Sequence, residues 1–259
     1  MKKNTFIKVS DFVFSESYLL LLEVNGNSGN YAIIDTEDNS LKEIGSTDTA
    51  LSDTDHILYQ YNFSTIKVSS VTKSFSFIPR ELYSEADDLA AFTGADISTE
   101  KIFRSELDEY IKNIYGLDSK FAGFFEDNFS HATLYPQMLS FYKGCKQNDG
   151  YFANIKEGNV EILLIKEGQL LFYNIFEYKN DEELQYFILL GAQQHQLDNN
   201  STMLKISGEV AEYSLSFERL KTIFPKVEFN IPTGIEISED FANINLHRYF
   251  SLLNMRLCE

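Results

Sequence analysis

The chain has 259 residues, enough for one large domain or two of modest size, and its 44% apolar and 24% charged content is that of a globular protein. Its 22 basic and 39 acidic side chains give a formal charge of −17. Because phosphate contacts require a basic surface, this charge argues against nucleic-acid binding and against binding to an anionic membrane. The composition leaves a folded, acidic protein whose ligand is neither of these.

The sequence offers few features that would direct the chain out of the cytoplasm. Its two cysteines, Cys145 and Cys258, are too few for the disulfide framework of a small secreted domain. The basic start resembles a signal peptide, but Lys8 and Asp11 interrupt it before an apolar run of sufficient length forms. The longest apolar stretch, residues 18–22, is far shorter than the roughly 20 residues that span a bilayer. We therefore expect a cytoplasmic protein without membrane insertion.

In the first half of the chain, apolar runs separated by polar turns predict a series of strands. These runs are residues 18–24, 31–35, 41–44, 65–70 and 74–78. A short helix is expected at residues 53–61 and a short helix or a turn at residues 81–92. Periodicity does not decide whether residues 102–107 and 110–115 form strands or one helix. Phenylalanines spaced by three and four positions between residues 119 and 129 predict a helix with an aromatic face.

The second half shows a clearer alternation of strands and helices. Strands are predicted at residues 151–155, 160–165, 170–178, 203–206 and 227–231. Asn180 is expected to cap a helix whose first turn is acidic, as the helix dipole favours. Further helices are expected at residues 213–224, before Pro225, and at residues 241–257.

The three-strand pattern at residues 18–44 recurs at residues 151–178, half of the chain later. Each copy is followed by a helix, a strand, a helix and a strand, so each half reads β-β-β-α-β-α-β. The sequence therefore predicts an α/β protein of two duplicated lobes, each with a mixed sheet, at residues 1–148 and 149–259.

This order of elements resembles the actin-like, ribonuclease H-like superfamily of actin, the sugar kinases and the heat-shock chaperone ATPases. Three segments carry a closer resemblance: SFSFIPRELYSEADDLAAF at residues 74–92, HATLYPQMLSFY at residues 131–142 and NLHRYFSLLNMRLCE at residues 245–259. By these segments the chain is similar to an uncharacterised bacterial family of actin-like proteins, near those of pilus assembly. The resemblance implies either an ATPase or a fold used for assembly with other proteins.

The resemblance also implies where a nucleotide would bind, namely at glycine-rich turns after the first strands of each lobe and after a later strand of the second. In the first lobe this turn contains Gly26 but lacks the expected aspartate, and Glu23 is the nearest acid. In the second lobe Asn154 stands in place of an acid, Gly158 follows it, and Gly208 is the single glycine of the later turn. We expect Asn154, Gly158 and Gly208 to be vestigial nucleotide-binding residues.

Other chemistries are weakly indicated, because the sequence contains no P-loop, dinucleotide-binding, nucleophile-elbow or HExxH motif. Asp53, Asp55 and His56 could bind a metal, although a solvated helix start explains them more simply. His131 and Cys145 could form a nucleophile and base only if the fold brings them together.

We therefore expect a protein without catalytic activity, cofactor or metal that acts through an unidentified protein partner or through self-association. The alternative is a nucleotide-binding ATPase or switch with a divergent site between the lobes. In that case ATP would bind with Mg²⁺, and Glu23 or Asp35 would hold the ion.

Overall fold

A computed structural model describes residues 6–25, 28–47, 50–53, 55–84, 92 and 96–259. The protein forms two compact units. The first unit comprises the described residues of Met1–Ser140 together with Gly234–Asn243, and the second comprises Phe141–Thr233 and Ile244–Glu259. The mixed α/β class predicted from the sequence is confirmed.

The first unit is built on a six-stranded mixed sheet in the order β1-β4-β3-β2-β5-β9, with a separate three-stranded sheet in the order β6-β8-β7. Its elements are β1 (Phe6–Lys8), β2 (Tyr18–Asn25), β3 (Ser28–Asp35), β4 (Ser40–Thr47), α1 (Ile57–Gln60), β5 (Thr65–Ser70), β6 (Phe75–Pro79), β7 (Glu100–Glu106), β8 (Ile111–Asp118), α2 (Ser119–Asn128) and β9 (Ala132–Pro136). The helix α3 (Gln137–Cys145) begins in this unit and ends in the second.

The second unit contains a five-stranded sheet in the order β12-β11-β10-β13-β14. Its elements are β10 (Gly150–Lys156), β11 (Asn159–Lys166), β12 (Gln169–Glu177), α4 (Asp181–Gln194), β13 (Met203–Gly208), α5 (Leu215–Ile223), β14 (Lys226–Phe229) and α6 (Phe250–Asn254). As expected, Asn180 caps α4, because its side chain accepts a hydrogen bond from the backbone N–H of Glu183 at 2.9 Å.

The two sheets share one pairing pattern. In each, the central strand is the first of three consecutive antiparallel strands, and two further strands on its other side run parallel to it. The first unit adds β1 at one edge and inserts its three-stranded sheet between β5 and α2. Alternating residues of the central strand enter an apolar core in both units, as strand geometry requires.

Three local expectations meet different outcomes. Residues 102–107 and 110–115, left open between strands and a helix, lie largely in the antiparallel pair β7 and β8. The single closing helix expected at residues 241–257 is wrong, because α6 is flanked there by short 3₁₀ turns at Leu246–Tyr249 and Met255–Leu257. Most of the segment at residues 81–92, expected to be a short helix or a turn, lies outside the described residues.

Candidate functional site

The three residues predicted as vestigial nucleotide contacts lie at one edge of the second unit's sheet. Asn154 is on β10 and is paired in register with Ser207 of β13. The next pair along the same two strands is Ile155 and Gly208, and Gly158 lies in the turn that joins β10 to β11. The fold therefore brings the end of β10 and the end of β13 together, as parallel strands must.

Asn154 is fully buried and is engaged by three side chains. Its amide nitrogen donates to the carboxylate of Glu161 at 2.6 Å and to the hydroxyl of Ser251 at 3.0 Å. Its amide oxygen accepts a hydrogen bond from Ser207 at 3.1 Å. Both the nitrogen and the oxygen of the amide form hydrogen bonds inside the unit, so Asn154 links three other side chains in one buried polar network.

Glu161 completes this network from the neighbouring strand β11. It is about 1% exposed, and its second carboxylate oxygen accepts a hydrogen bond from the hydroxyl of Tyr173 at 2.7 Å. Burial and the adjacent carboxylate raise the pKa of Tyr173, which therefore remains a protonated donor. A buried carboxylate is tolerated when it is hydrogen-bonded in this way.

Sequence reasoning missed Glu161, Ser207 and Tyr173 as members of this cluster. The available signal was the single acid in the otherwise apolar run VEILLI at residues 160–165. An acid in a strand that is buried on both faces requires a partner, and period-2 alternation places its side chain on one face with those of neighbouring strands.

Gly158 is a turn residue with open space around it. Its φ of +78° favours glycine, and a Cβ added there would meet no atom within 4 Å. Its carbonyl oxygen accepts a hydrogen bond from the backbone N–H of Tyr178 at 3.0 Å. These features explain the glycine by the geometry of the turn.

Gly208 allows a close approach of two backbone segments. Its φ is +89°, and a Cβ there would collide with the carbonyl oxygen of Ile155. That same oxygen accepts the N–H of Glu209 at 2.6 Å, while the N–H of Val210 donates to the carbonyl of Gly208 at 2.9 Å. A phosphate cradle requires backbone N–H groups that point at the ligand. Here the two N–H groups after Gly208 are already bonded to the chain.

The charge at this edge also disfavours an anion. After burial, the carboxylates of Glu209, Asp181 and Glu157 are the influences that raise the pKa of Tyr178, so negative charge lies near its hydroxyl. Lys156 lies on the same edge, but its residue is only 2% exposed. A phosphate approaching this surface would meet like charge before it met a cation.

The first unit also has polar side chains at the corresponding register positions. Glu23 of β2 is paired with Asn30 of β3 and with Ser69 of β5, and both Glu23 and Ser69 are buried. Gly26, the glycine predicted for the phosphate turn of this unit, lies outside the described residues. The polar positions are therefore shared by the two sheets, although the residue types differ.

Glu23 and Asp35, each considered as an alternative ligand for Mg²⁺, lie at opposite ends of the hairpin formed by β2 and β3. Asp35 is paired with Tyr18, so the spacing along β2 places it about 16 Å from Glu23. The Asp35 carboxylate accepts a hydrogen bond from Ser17 at 3.1 Å and lies 3.5 Å from the ammonium of Lys42. These contacts explain Asp35 as part of a surface turn.

The remaining candidate residues have structural roles. The side chain of Asp53 accepts the N–H of Asp55, and His56 caps α1 by accepting the N–H of Leu58. Among the described residues, no group of three or more His, Cys, Asp or Glu side chains is placed to hold a metal. Cys145 is buried, and burial raises the pKa of its thiol well above the usual value, which opposes nucleophilic reactivity.

The comparison with protein families identifies the chain. The family described as "Protein of unknown function (DUF3822)" matches residues 10–227. The chain belongs to this family. No curated protein gives a significant match.

Solved structures show the fold of this DUF3822 member. A Bacteroides thetaiotaomicron protein described as having an actin-like ATPase fold and unknown function is 19% identical, with a TM-score of 0.76; the match covers 97% of this chain and 100% of that one. A protein of the PilM–PilN type IV pilus biogenesis complex is 12% identical with a TM-score of 0.60, covering 94% and 97% of the two chains.

A third similar structure is the cytoplasmic domain of EpsL, an inner membrane component of the type II secretion system of Vibrio cholerae. It is 11% identical with a TM-score of 0.54, and the match covers 93% of this chain and 94% of that domain. At these identities the likeness shows the fold alone, and it confirms the actin-like resemblance drawn from the sequence. Of the helices in the described ranges, none combines the length and apolarity needed to cross a bilayer.

Proposed function

We propose that this protein is a cytoplasmic, non-catalytic actin-like protein that acts by binding another protein or by assembling with itself. The low cysteine content supports a reducing compartment. In this proposal Asn154, Gly158 and Gly208 are vestiges of a nucleotide site that maintain the fold of the second unit. Function is carried by surfaces and not by a bound cofactor.

The observation that carries the proposal is the state of the turn after β13. The N–H groups of Glu209 and Val210 donate to backbone carbonyls, and Glu209 adds a carboxylate to the same turn. Binding a nucleotide here would require breaking two backbone hydrogen bonds and placing like charges together. Each of these changes costs free energy that a phosphate site normally gains.

Two of the similar structures support an assembly role by analogy. One is a protein of a pilus biogenesis complex, and another is a domain of a secretion-system component. Because shared fold does not establish shared function, the analogy supports the class of activity and names no partner for this chain. The charge of −17 would favour a partner with a basic surface by electrostatic steering.

The decisive experiment measures nucleotide binding and assembly on the same purified protein. We expect ATP or ADP with Mg²⁺, at millimolar concentration, to leave the thermal midpoint unchanged. A bound nucleotide at a hundredfold excess over its Kd would add about 2.7 kcal/mol of stability, which such a scan detects. A clear nucleotide-dependent increase would instead favour the alternative, an ATPase or nucleotide-dependent switch.

Assembly is tested by mass photometry and by quantitative capture of partners on the immobilised protein. Glu209→Lys reverses one charge at the second unit's acidic edge, while Glu37→Lys reverses an exposed charge on a surface turn of the first unit and serves as the matched control. We expect self-association, or capture of a defined partner, to fall at least several-fold in Glu209→Lys alone. The proposal would be refuted if the protein stays monomeric and no captured protein binds the natural chain and Glu209→Lys to different extents.

A further inference from the structure

A small pocket in the first unit is independent of the nucleotide-related turns. It leaves about 70 Å³ of space between the edge strands of the sheet and α1. It is lined by aromatic, charged and other polar residues together with one isoleucine, namely Phe6, Lys8, Tyr31, Glu43, Thr47, Ile57, Gln60 and Tyr61. This volume would hold more than one water molecule or a small organic group.

The strand register explains why these side chains converge. Glu43 and Thr47 lie four positions apart on β4, so they share the face of the sheet that carries Tyr31. Gly45 lies between them on that face and is paired with both Phe6 and Tyr31. Because glycine adds no side chain there, space remains between the carboxylate of Glu43 and the hydroxyl of Thr47.

The polar atoms of the pocket are buried and only partly used. Glu43 is 3% exposed, and one carboxylate oxygen accepts a hydrogen bond from the hydroxyl of Tyr31 at 2.5 Å. Within the part of the chain that the structure describes, the other oxygen, Oε2, has no hydrogen-bond partner, and neither has Oγ1 of the buried Thr47. A buried carboxylate with one contact is costly unless a cation or further donors complete its shell.

The hydroxyl of Tyr31 stays a donor to this carboxylate. Burial, followed by the hydrogen bond to Glu43, raises the pKa of Tyr31 far above its ordinary value. Burial and the charge of Glu43 also raise the pKa of Tyr61. Lys8 and Gln60 also line the pocket. Its carboxylate oxygen and hydroxyl oxygen without partners, together with the neutral aromatic rings, are nevertheless groups that attract a cation.

We propose that this pocket binds a primary ammonium group. An ammonium has three N–H donors, and Oε2 of Glu43 and Oγ1 of Thr47 are two acceptors that can receive them. The ring of Tyr61, which also lines the pocket, can attract the positive charge through its π face. The ammonium can belong to a small free amine or to a lysine side chain of another protein, since the group recognised is the same.

Lys8 is the chain's own candidate for this role, because it faces Glu43 in the β1–β4 register. Its ammonium instead lies over the rings of Phe6 and Phe12, 5.7 Å and 5.4 Å from their centroids. An external ammonium would therefore compete with a lysine that itself lines the pocket. A Lys8→Met variant distinguishes an external occupant from this internal one.

The test is a titration of the full chain with n-butylammonium chloride, followed by isothermal calorimetry and by thermal midpoint. Equal concentrations of 1-butanol and of sodium chloride control for apolar binding and for ionic strength. Glu43→Gln keeps the size of the side chain and its acceptor for Tyr31 but removes the charge. We expect saturable binding of n-butylammonium to the natural chain, no response to either control, and at least tenfold weaker binding to Glu43→Gln, which is about 1.4 kcal/mol.

A second arm separates the two sources of the ammonium. N-acetyl-lysine methylamide is compared with the same compound acetylated at its side-chain nitrogen. Tighter binding of the free lysine compound than of n-butylammonium points to a lysine side chain of a protein, and the reverse order points to a free amine. Either order supports the site.

Three outcomes would overturn the proposal. The first is equal binding of n-butylammonium and 1-butanol, which would show an apolar pocket only. The second is unchanged binding by Glu43→Gln. The third is that the natural chain does not bind n-butylammonium. If Lys8→Met then does bind it, Lys8 itself is the occupant of the pocket.

Discussion

The central strand of each sheet has a buried polar residue that is paired with polar residues of both neighbouring strands, but the residue types differ between the two units. In the first unit Glu23 is opposite Asn30 and beside Ser69, whereas in the second unit Asn154 is opposite Glu161 and beside Ser207. Each unit thus has an acid, an amide and a serine at equivalent register positions. The acid is on the central strand in the first unit, whereas the amide is on the central strand in the second. At these positions near the end of the central strand, both sheets have polar side chains, but the type of polar residue at each position differs between the two units.

The two clusters differ in how their serines are used. The hydroxyl of Ser207 donates to Asn154, and the amide of Asn154 joins Glu161 and Ser251. Ser69 is equally buried, but its hydroxyl has no hydrogen-bond partner among the described residues. The second cluster should therefore contribute more to stability, because loss of a member leaves buried polar atoms without partners.

The largest effect is expected from Asn154→Leu, which replaces the amide with an apolar group of similar size. Glu161 would lose its amide donor and Ser207 its acceptor, in a site without solvent. We expect the free energy of unfolding to fall by about 3 kcal/mol, since hydrogen bonds to charged groups contribute about 1.5–3 kcal/mol each and are not additive. Urea denaturation measures it.

The matched change in the same network is Glu161→Gln, which keeps the shape and an acceptor for Tyr173 while removing the charge. It should cost less than Asn154→Leu if desolvation of the carboxylate offsets part of its hydrogen bonding. An Asn154→Leu protein as stable as the natural chain would show that the network does not stabilise the second unit.

The next effect compares two glycine turns at this edge. Gly208→Ala places a Cβ against the carbonyl oxygen of Ile155 and requires a positive φ, whereas Gly158→Ala requires only the positive φ. We expect losses of about 2 kcal/mol and about 1 kcal/mol respectively, since left-handed backbone costs roughly 1 kcal/mol for alanine. Thermal unfolding of both variants gives the order. Equal losses would indicate that the backbone near Ile155 adjusts to the added methyl group.

The sequence predicted these turns better than it predicted the polar cluster. Polar turn residues and period-2 alternation are local signals, so the strands and the glycines at positions 158 and 208 could be located. The hydrogen bond that joins Asn154 to Ser251 spans 97 positions, and it depends on how β10 and α6 pack. Local pattern contains no information on such contacts. The sequence therefore placed Asn154 at a vestigial nucleotide turn but did not predict its hydrogen bonds to Glu161, Ser207 and Ser251.

The last helix illustrates the same limit. Residues 241–257 contain apolar residues at helical spacing, yet α6 covers only Phe250–Asn254 and is flanked by 3₁₀ turns. Backbone geometry there follows from tertiary packing: Phe250 contacts Phe141 with ring centroids 6.2 Å apart. Periodicity showed neither how far one helix continues nor which side chains are buried, because every residue of α6 is buried whereas Leu257 is exposed.

A smaller effect tests the serine comparison directly. Ser207→Ala removes a donor from Asn154, and we expect a loss of about 1 kcal/mol, the usual net contribution of one hydrogen bond. Ser69→Ala should leave stability within about 0.5 kcal/mol, because no hydrogen bond with the described residues is lost. Chemical denaturation of the pair measures the difference. A greater loss for Ser69→Ala would reverse the ranking of the two clusters.

The smallest effect concerns pH and the second unit alone. His247 is buried, stacks on Phe229 with ring centroids 4.0 Å apart, and lies with Nε2 2.8 Å from the carbonyl oxygen of Val210. That carbonyl can only accept, so Nε2 carries the proton of the neutral ring. Burial lowers the pKa of His247 below its usual value of 6.5, and the charge of Arg248 adds to this, while the Val210 carbonyl opposes it.

The sign of the pH dependence follows from this shift. As pH falls through about 6.5, the unfolded chain binds a proton at His247 before the folded chain does, so the free energy of unfolding decreases. This contribution is fully present above that pH. His247→Gln retains an N–H donor for Val210 but cannot titrate. Between about pH 7.5 and about pH 5.5, which lie on either side of the ordinary histidine pKa of about 6.5, we expect its free energy of unfolding to fall less than that of the natural chain. Because carboxylates titrate in both proteins, the difference between their denaturation curves isolates His247. Parallel curves across this interval would mean that the imidazole takes up its proton equally in the folded and unfolded states, and that its contact with Val210 does not depend on the neutral ring.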